Sequence, residues 1–194
     1  PPYAQPFREG LQPNDVWCAD FKGWFRTQCG TRIDPLTISD AVSRYLLRCQ
    51  ALMRQTGAMT QAVFTAAFQE FGLPEAIRTD NGAPFASTGL GGLSRLSVWW
   101  LRLGIVPERI RPGHPEENGR HERMHRTLKQ ATAKPPHATP KAQQLAFDRF
   151  LTEYNQERPH EALDMQTPAQ HYQPSPRPFP VRMPEMEYPA GHLV

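Results

Sequence analysis

Three strand-like runs follow one another within the first 51 residues, with no helical repeat between them. Residues 15–25 carry Val16, Trp17, Phe21, Trp24 and Phe25, and residues 36–40 and 43–51 supply two more runs, separated by a short turn near Asp40 and Ala41. Successive strands with no room for a crossover helix pair antiparallel, so the chain opens as a meander. The hydrophobic period then changes. Residues 60–71 place Val63, Phe64, Ala67, Phe68 and Phe71 at helical spacing, and Gly72 with Pro74 stops the run. Residues 76–79 read as a short strand entering the turn Asp80-Asn81-Gly82. Leu93, Leu96, Trp100 and Leu103 form a helical stripe ending at Gly104, and residues 105–109 read as a fifth strand. Helices are predicted over 115–133 and 141–155. The order β-β-β-α-β-α-β-α-α predicts an α/β fold, a five-stranded mixed sheet flanked by helices on both faces.

The ends differ in character. Residues 1–13 are Pro-rich and read as an extended linker, without the charged and apolar regions of a signal peptide. A chain opening this way is expected to be a fragment of something longer. From Gln173 onward six prolines fall among few periodic apolar residues, so 173–194 is expected to be an extended or disordered tail. Residues 14–172 make the core.

With 194 residues and 39% hydrophobic content, the chain is long enough to bury one substantial core. Its 22 Lys and Arg against 19 Asp and Glu give +3, which permits a polyanionic partner without demanding one. Three cysteines, none in a C-x-x-C pair, argue against a disulfide framework and for a reducing compartment. No apolar run reaches the length of a membrane span. Trp100 joins the apolar stripe; Trp99 points elsewhere, and core packing is favoured for both.

Three carboxylates stand out. Asp20 interrupts the apolar run Trp17-Cys18-Ala19-Asp20-Phe21, which in a central strand is costly unless the acid is paired or bound to metal; an edge strand facing water is the bland alternative. Asp80 follows a strand end, where α/β sheets place ligand sites, although Asp-Asn-Gly is also plain turn chemistry. Glu122 lies in a predicted helix with Asn118, Arg126 and Lys129 at i−4, i+4 and i+7 on one face, and with Met124, Leu128 and Ala131 roughly on another. Such a charged face is usually only solvated. Three converging carboxylates suit two magnesium ions, and two such ions serve phosphodiester chemistry. Glu122 also sits inside His121-Glu122-Arg123-Met124-His125, an H-E-x-x-H string that suggests a zinc peptidase. The extended form of that motif needs Gly at 128 and His at 131, where Leu128 and Ala131 stand. His121 and His125 then read as flanking, partly exposed side chains.

The chain resembles the catalytic cores of D-D-E transposases and retroviral-type integrases, in particular bacterial insertion-sequence transposases. The resemblance rests on the strand around Asp20, on Asp40-Ala41-Val42-Ser43-Arg44-Tyr45, on Phe71-Gly72-Leu73-Pro74 with Ile77-Arg78-Thr79-Asp80-Asn81-Gly82, and on Arg111-Pro112-Gly113-His114-Pro115 with Asn118-Gly119-x-x-Glu122-Arg123. It ends with Tyr154-Asn155, Arg158-Pro159-His160 and Thr167-Pro168-Ala169, and runs in order across residues 17–169. It implies a ribonuclease-H-like fold and catalysis by Asp20, Asp80 and Glu122 with two Mg2+ ions, Mn2+ substituting. It further implies hydrolysis at transposon 3′ ends, then transfer of the 3′-hydroxyl to target DNA, with no covalent protein–DNA intermediate. Lys129 matches the position that contacts the transposon end, with Arg126, Asn118 and Arg123 as further DNA contacts. The resemblance also implies a homodimer or higher oligomer, no membrane partner, and a bacterial cytoplasmic, nucleoid-associated setting. An upstream helix-turn-helix domain belongs to such families and is not seen in this sequence. The core alone is expected to bind DNA weakly and with strong salt dependence.

One departure concerns spacing. The family often leaves about 35 residues between the second Asp and the Glu. Glu116 falls at that spacing from Asp80, and Glu122 lies six positions further on. A Gly-rich insertion within residues 86–98 accommodates the difference. Glu116 follows Pro115 at a predicted helix start, where an acid simply complements the helix dipole. Glu122 is therefore the predicted third carboxylate. The remaining rivals are a non-catalytic DNA-binding or assembly module of the same fold, and a ribonuclease-H-like nuclease without strand transfer. Asp40 and Arg44 are explained sufficiently by pairing across a strand turn.

Overall fold

The computed structural model describes residues 7–87, 92–110 and 119–183, with only the backbone described for 119–122. Strands β1 (Val16–Phe21), β2 (Phe25–Arg26), β3 (Arg32–Asp40) and β4 (Leu46–Leu52) come first, then helix α1 (Gly57–Phe71). Strand β5 (Ala76–Thr79), α2 (Arg95–Arg102), β6 (Val106–Arg109), α3 (Gly119–Thr132), α4 (Pro140–Gln156) and the short α5 (Pro168–His171) follow. The sheet runs β4-β3-β1-β5-β6, antiparallel across β1, β3 and β4 and parallel across β1, β5 and β6. The sixth strand, β2, is a two-residue extension pairing with the start of β3. β3 begins before the predicted residue 36, because Pro35 sits within the strand while its carbonyl accepts the amide of Lys22.

Alternation along the strands sends side chains to two cores. Trp17, Ala19, Leu36, Ile38 and Ile77 pack under α1 and α2 with Phe64, Phe68, Phe85 and Trp100. Ile33, Leu46 and Cys49 pack under α3 and α4 with Met124, Leu128, Phe147 and Phe150. A register shift between Ile38 and Ser39 puts Leu46, rather than Leu47, on the same face as Cys49. Trp99 is buried too, 5.4 Å from Phe68 between ring centroids.

Helix starts follow the sequence chemistry. Thr56, Ser94 and Thr139 cap α1, α2 and α4 by accepting the amides of Met59, Ser97 and Ala142. The edge strand β4 is managed by amide side chains from α4. Asn155, itself buried, accepts from the Leu46 amide and donates to the Leu46 carbonyl, and Gln144 does the same for Ala51 N–H and Cys49 C=O.

Residues 173–183 form no helix or strand and are strapped across the α1–β5 turn. Ser175 N–H donates to Phe71 C=O, and Leu73 N–H donates to Arg177 C=O. The Arg177 guanidinium donates to the carbonyls of Pro74, Leu103 and Gly104 and to Glu75. Gly72 has φ 76°, and a Cβ there would stand 2.7 Å from two strap carbonyls, so only glycine fits. Residues 7–8 are likewise docked: Phe7 lies under the Arg78 guanidinium, and Arg8 N–H donates to Glu108. Among the described residues no helix is long and apolar enough to cross a membrane.

Candidate active site

Strand β1 is central, with β3 on one side and β5 on the other, so the edge-strand explanation of Asp20 does not hold. Ala19 pairs with Thr79 in the parallel register, which brings Asp20 and Asp80 to matching positions at the carboxyl ends of neighbouring strands. Both are half-buried. The Asp80 carboxylate accepts the Gly82 amide, and a Cβ at Gly82 would crowd its oxygens at 3.1 and 3.3 Å. Asn81 donates to the Ile110 carbonyl and ties this turn to the end of β6.

Asp20 pairs across the ladder with Thr37, so both project toward α3. From that helix His125 reaches down to them. Its Nε2 is 2.6 Å from Thr37 Oγ1, and its Nδ1 is 3.7 Å from an Asp20 carboxylate oxygen. Thr37 Oγ1 also donates to the Asp20 carbonyl. His125 is therefore not a partly exposed flanking side chain. It is 3% exposed, an integral part of the floor beneath α3. With Nε2 directed at Thr37, the second histidine of the H-E-x-x-H string faces the sheet, which speaks against the zinc reading. The signal that could have found it is the buried stripe Met124, His125, Leu128, Thr132; Ala131, expected on the apolar face, is exposed.

Glu122 lies on α3 one turn before His125; its side chain, and all of Glu116 and Asn118, fall outside the described residues. The described residues contain no group of three or more His, Cys, Asp or Glu side chains able to hold a metal. Arg123, Arg126 and Lys129 are exposed on α3, away from the buried stripe. Asp40 accepts from the amides of Asn14, Val42 and Ser43 and from the Ser43 hydroxyl, while Arg44 donates to the Ala41 carbonyl. The Asp40–Arg44 turn thus works as a capped loop. Burial raises the Asp40 carboxyl above its ordinary range, against those hydrogen bonds.

A mixed sheet of this order, with two carboxylates at the ends of its parallel strands and a helix packed against the first of them, defines the integrase-core form of the ribonuclease-H-like fold. The catalytic core domain of HTLV-2 integrase, solved in complex with magnesium in a trimeric form, superposes with a TM-score of 0.67 at 20% identity, covering 85% of this chain and 100% of that one. The simian T-cell lymphotropic virus intasome in complex with the PP2A regulatory subunit B56 gamma gives 0.69 at 24% identity, covering 94% and 63%. Two family profiles described as integrase core domain match residues 10–115 and 103–168, the first alone exceeding half the chain; the protein belongs to the integrase core domain family. It is similar to insertion-element proteins of bacteria: 26% identical to the IS407 uncharacterized protein of Burkholderia multivorans and 29% to that of IS476 from Xanthomonas euvesicatoria, each over 159 residues and 81% of this chain. The chain spans 55% and 44% of the length of those two relatives.

Proposed function

We propose that this chain is the catalytic core of a bacterial insertion-sequence transposase, a polynucleotidyl transferase that hydrolyses DNA at transposon 3′ ends and joins the 3′-hydroxyl to target DNA. The observation that carries this is the register of β1 and β5. Neighbouring strands lie about 4.8 Å apart, so matched positions 20 and 80 offer hard oxygen donors to shared divalent cations. Glu122 is the third ligand in this reading, because α3 is fixed over Asp20 through His125, one turn away. Two magnesium ions, or manganese in their place, would activate the attacking oxygen and stabilise the leaving one. Asp20, Asp80 and Glu122 hold them; Lys129, Arg126, Arg123 and Asn118 hold the DNA backbone near that point. The active unit is a homodimer or higher oligomer, working on DNA in the bacterial cytoplasm.

Calorimetric titration with Mn2+, alongside a strand-transfer assay, tests the assignment. Asp20→Asn and Asp80→Asn should each abolish transfer and remove divalent-ion binding while keeping the fold. Wild-type metal affinity in both variants would overturn it.

A further inference from the structure

Of the four tryptophans, Trp17, Trp99 and Trp100 are buried, whereas Trp24 is 57% exposed on the turn between β1 and β2. Two guanidiniums approach its ring, Arg32 Cζ at 5.1 Å and Arg26 Cζ at 5.9 Å from the centroid. Arg26 and Arg32 are directly opposed across the ladder, so both leave the sheet on one face. Each is held in place, Arg26 by the Gly30 carbonyl and Arg32 by both oxygens of Asp34, whose carboxylate is buried. Beside the ring lies a depression of about 130 Å³, floored by Phe25, Pro35, Leu128 and Phe147 and edged by Lys22 and Lys129. A largely exposed indole, an apolar floor and a cationic rim together fit the flat base and charged phosphate of a nucleotide.

We propose that Trp24 is a stacking platform for an unpaired nucleotide of the transposon end. The proposal rests on the transposase reading above, in which Lys129 contacts that end. Trp24 stands four residues beyond Asp20 on the same ribbon, at most about 14 Å away. At about 3.4 Å per nucleotide along a strand, the base it takes lies within roughly four steps of the reacting phosphate. Stacking there favours a frayed or overhanging end over an uninterrupted duplex, because a paired base does not offer its face.

The test uses this chain in EDTA at low salt with two DNAs: a blunt duplex, and the same duplex carrying a four-nucleotide 5′ overhang. Anisotropy reads affinity and tryptophan emission reads stacking, since the other three indoles are buried. The overhang DNA should bind more tightly than the blunt duplex and quench emission. Trp24→Ala should cost about 5- to 150-fold for the overhang DNA alone, and Trp24→Phe should retain most of the preference. Lys22→Ala should weaken both DNAs alike and flatten the salt dependence. Equal binding of both DNAs by wild type without quenching overturns the platform and leaves the transposase reading standing. Binding of neither overturns both. The melting temperature of each variant separates a binding effect from a folding one.

Discussion

The imidazole of His125 is lodged between α3 and the sheet, with Nδ1 3.7 Å from the Asp20 carboxylate and Nε2 2.6 Å from the Thr37 hydroxyl. The helix carrying one predicted catalytic acid is thereby registered on the strand carrying another through a buried polar contact, as well as through Met124 and Leu128. His125→Ala removes a hydrogen bond and leaves a cavity. It should lower stability by about 2–4 kcal/mol, seen as a lower urea midpoint, and weaken Mn2+ binding in calorimetry. Unchanged metal affinity at unchanged stability would show that α3 is positioned by its apolar contacts alone.

The third carboxylate is decided by a pair of substitutions. Glu122→Gln is expected to abolish strand transfer, while Glu116→Gln leaves most of it. Loss of a metal ligand acts on the chemical step, so the Glu122 variant should still bind DNA. The opposite pattern would reassign the site to the residue at the usual spacing.

Asn155 bonds both backbone groups of Leu46 at the edge of the sheet. Asn155→Ala strands a buried donor and acceptor, at a cost of roughly 2–4 kcal/mol. Asn155→Asp should be worse, since a carboxylate oxygen would then face the Leu46 carbonyl. Denaturant midpoints should fall in that order with slopes unchanged.

Cys29 gives a pH readout. Hydrogen bonds from Thr27, then from Thr31, lower its thiol to about 7, although it is exposed. The thiolate is the reactive form, so alkylation should rise through pH 7 and level off above it. Thr27→Val together with Thr31→Val should move the midpoint upward. Burial raises the partly exposed Cys18 to about 11 and pushes the buried Cys49 higher still, so both should react far more slowly than Cys29 in the native state.

Much of the fold was legible because its periodicities are strong. The run at 76–79 matches β5 in full, and the Val63, Phe64, Ala67, Phe68, Phe71 stripe is the buried face of α1. Pro35 concealed the start of β3, since a proline argues against a strand interior and only its neighbours reveal that its carbonyl accepts from Lys22. The strap at 173–183 was illegible for a related reason. Backbone hydrogen bonds to Phe71 and Leu73, the Arg177 guanidinium and the Phe179 ring against Phe68 anchor it to residues more than seventy positions away, and no local pattern reports such contacts.

The sequence by itself determined the order of the main strands and helices, short β2 and α5 apart, and its family motifs pointed to Asp20, Asp80 and Glu122. The tertiary structure alone decided that β1 is central, that positions 20 and 80 share a register, and that His125 belongs under α3 against Thr37. The physical reason is range. Periodicity and turn chemistry act within a few residues and are written in the chain, whereas strand order and the burial of one histidine against residues 88 positions away exist only once the sheet has closed.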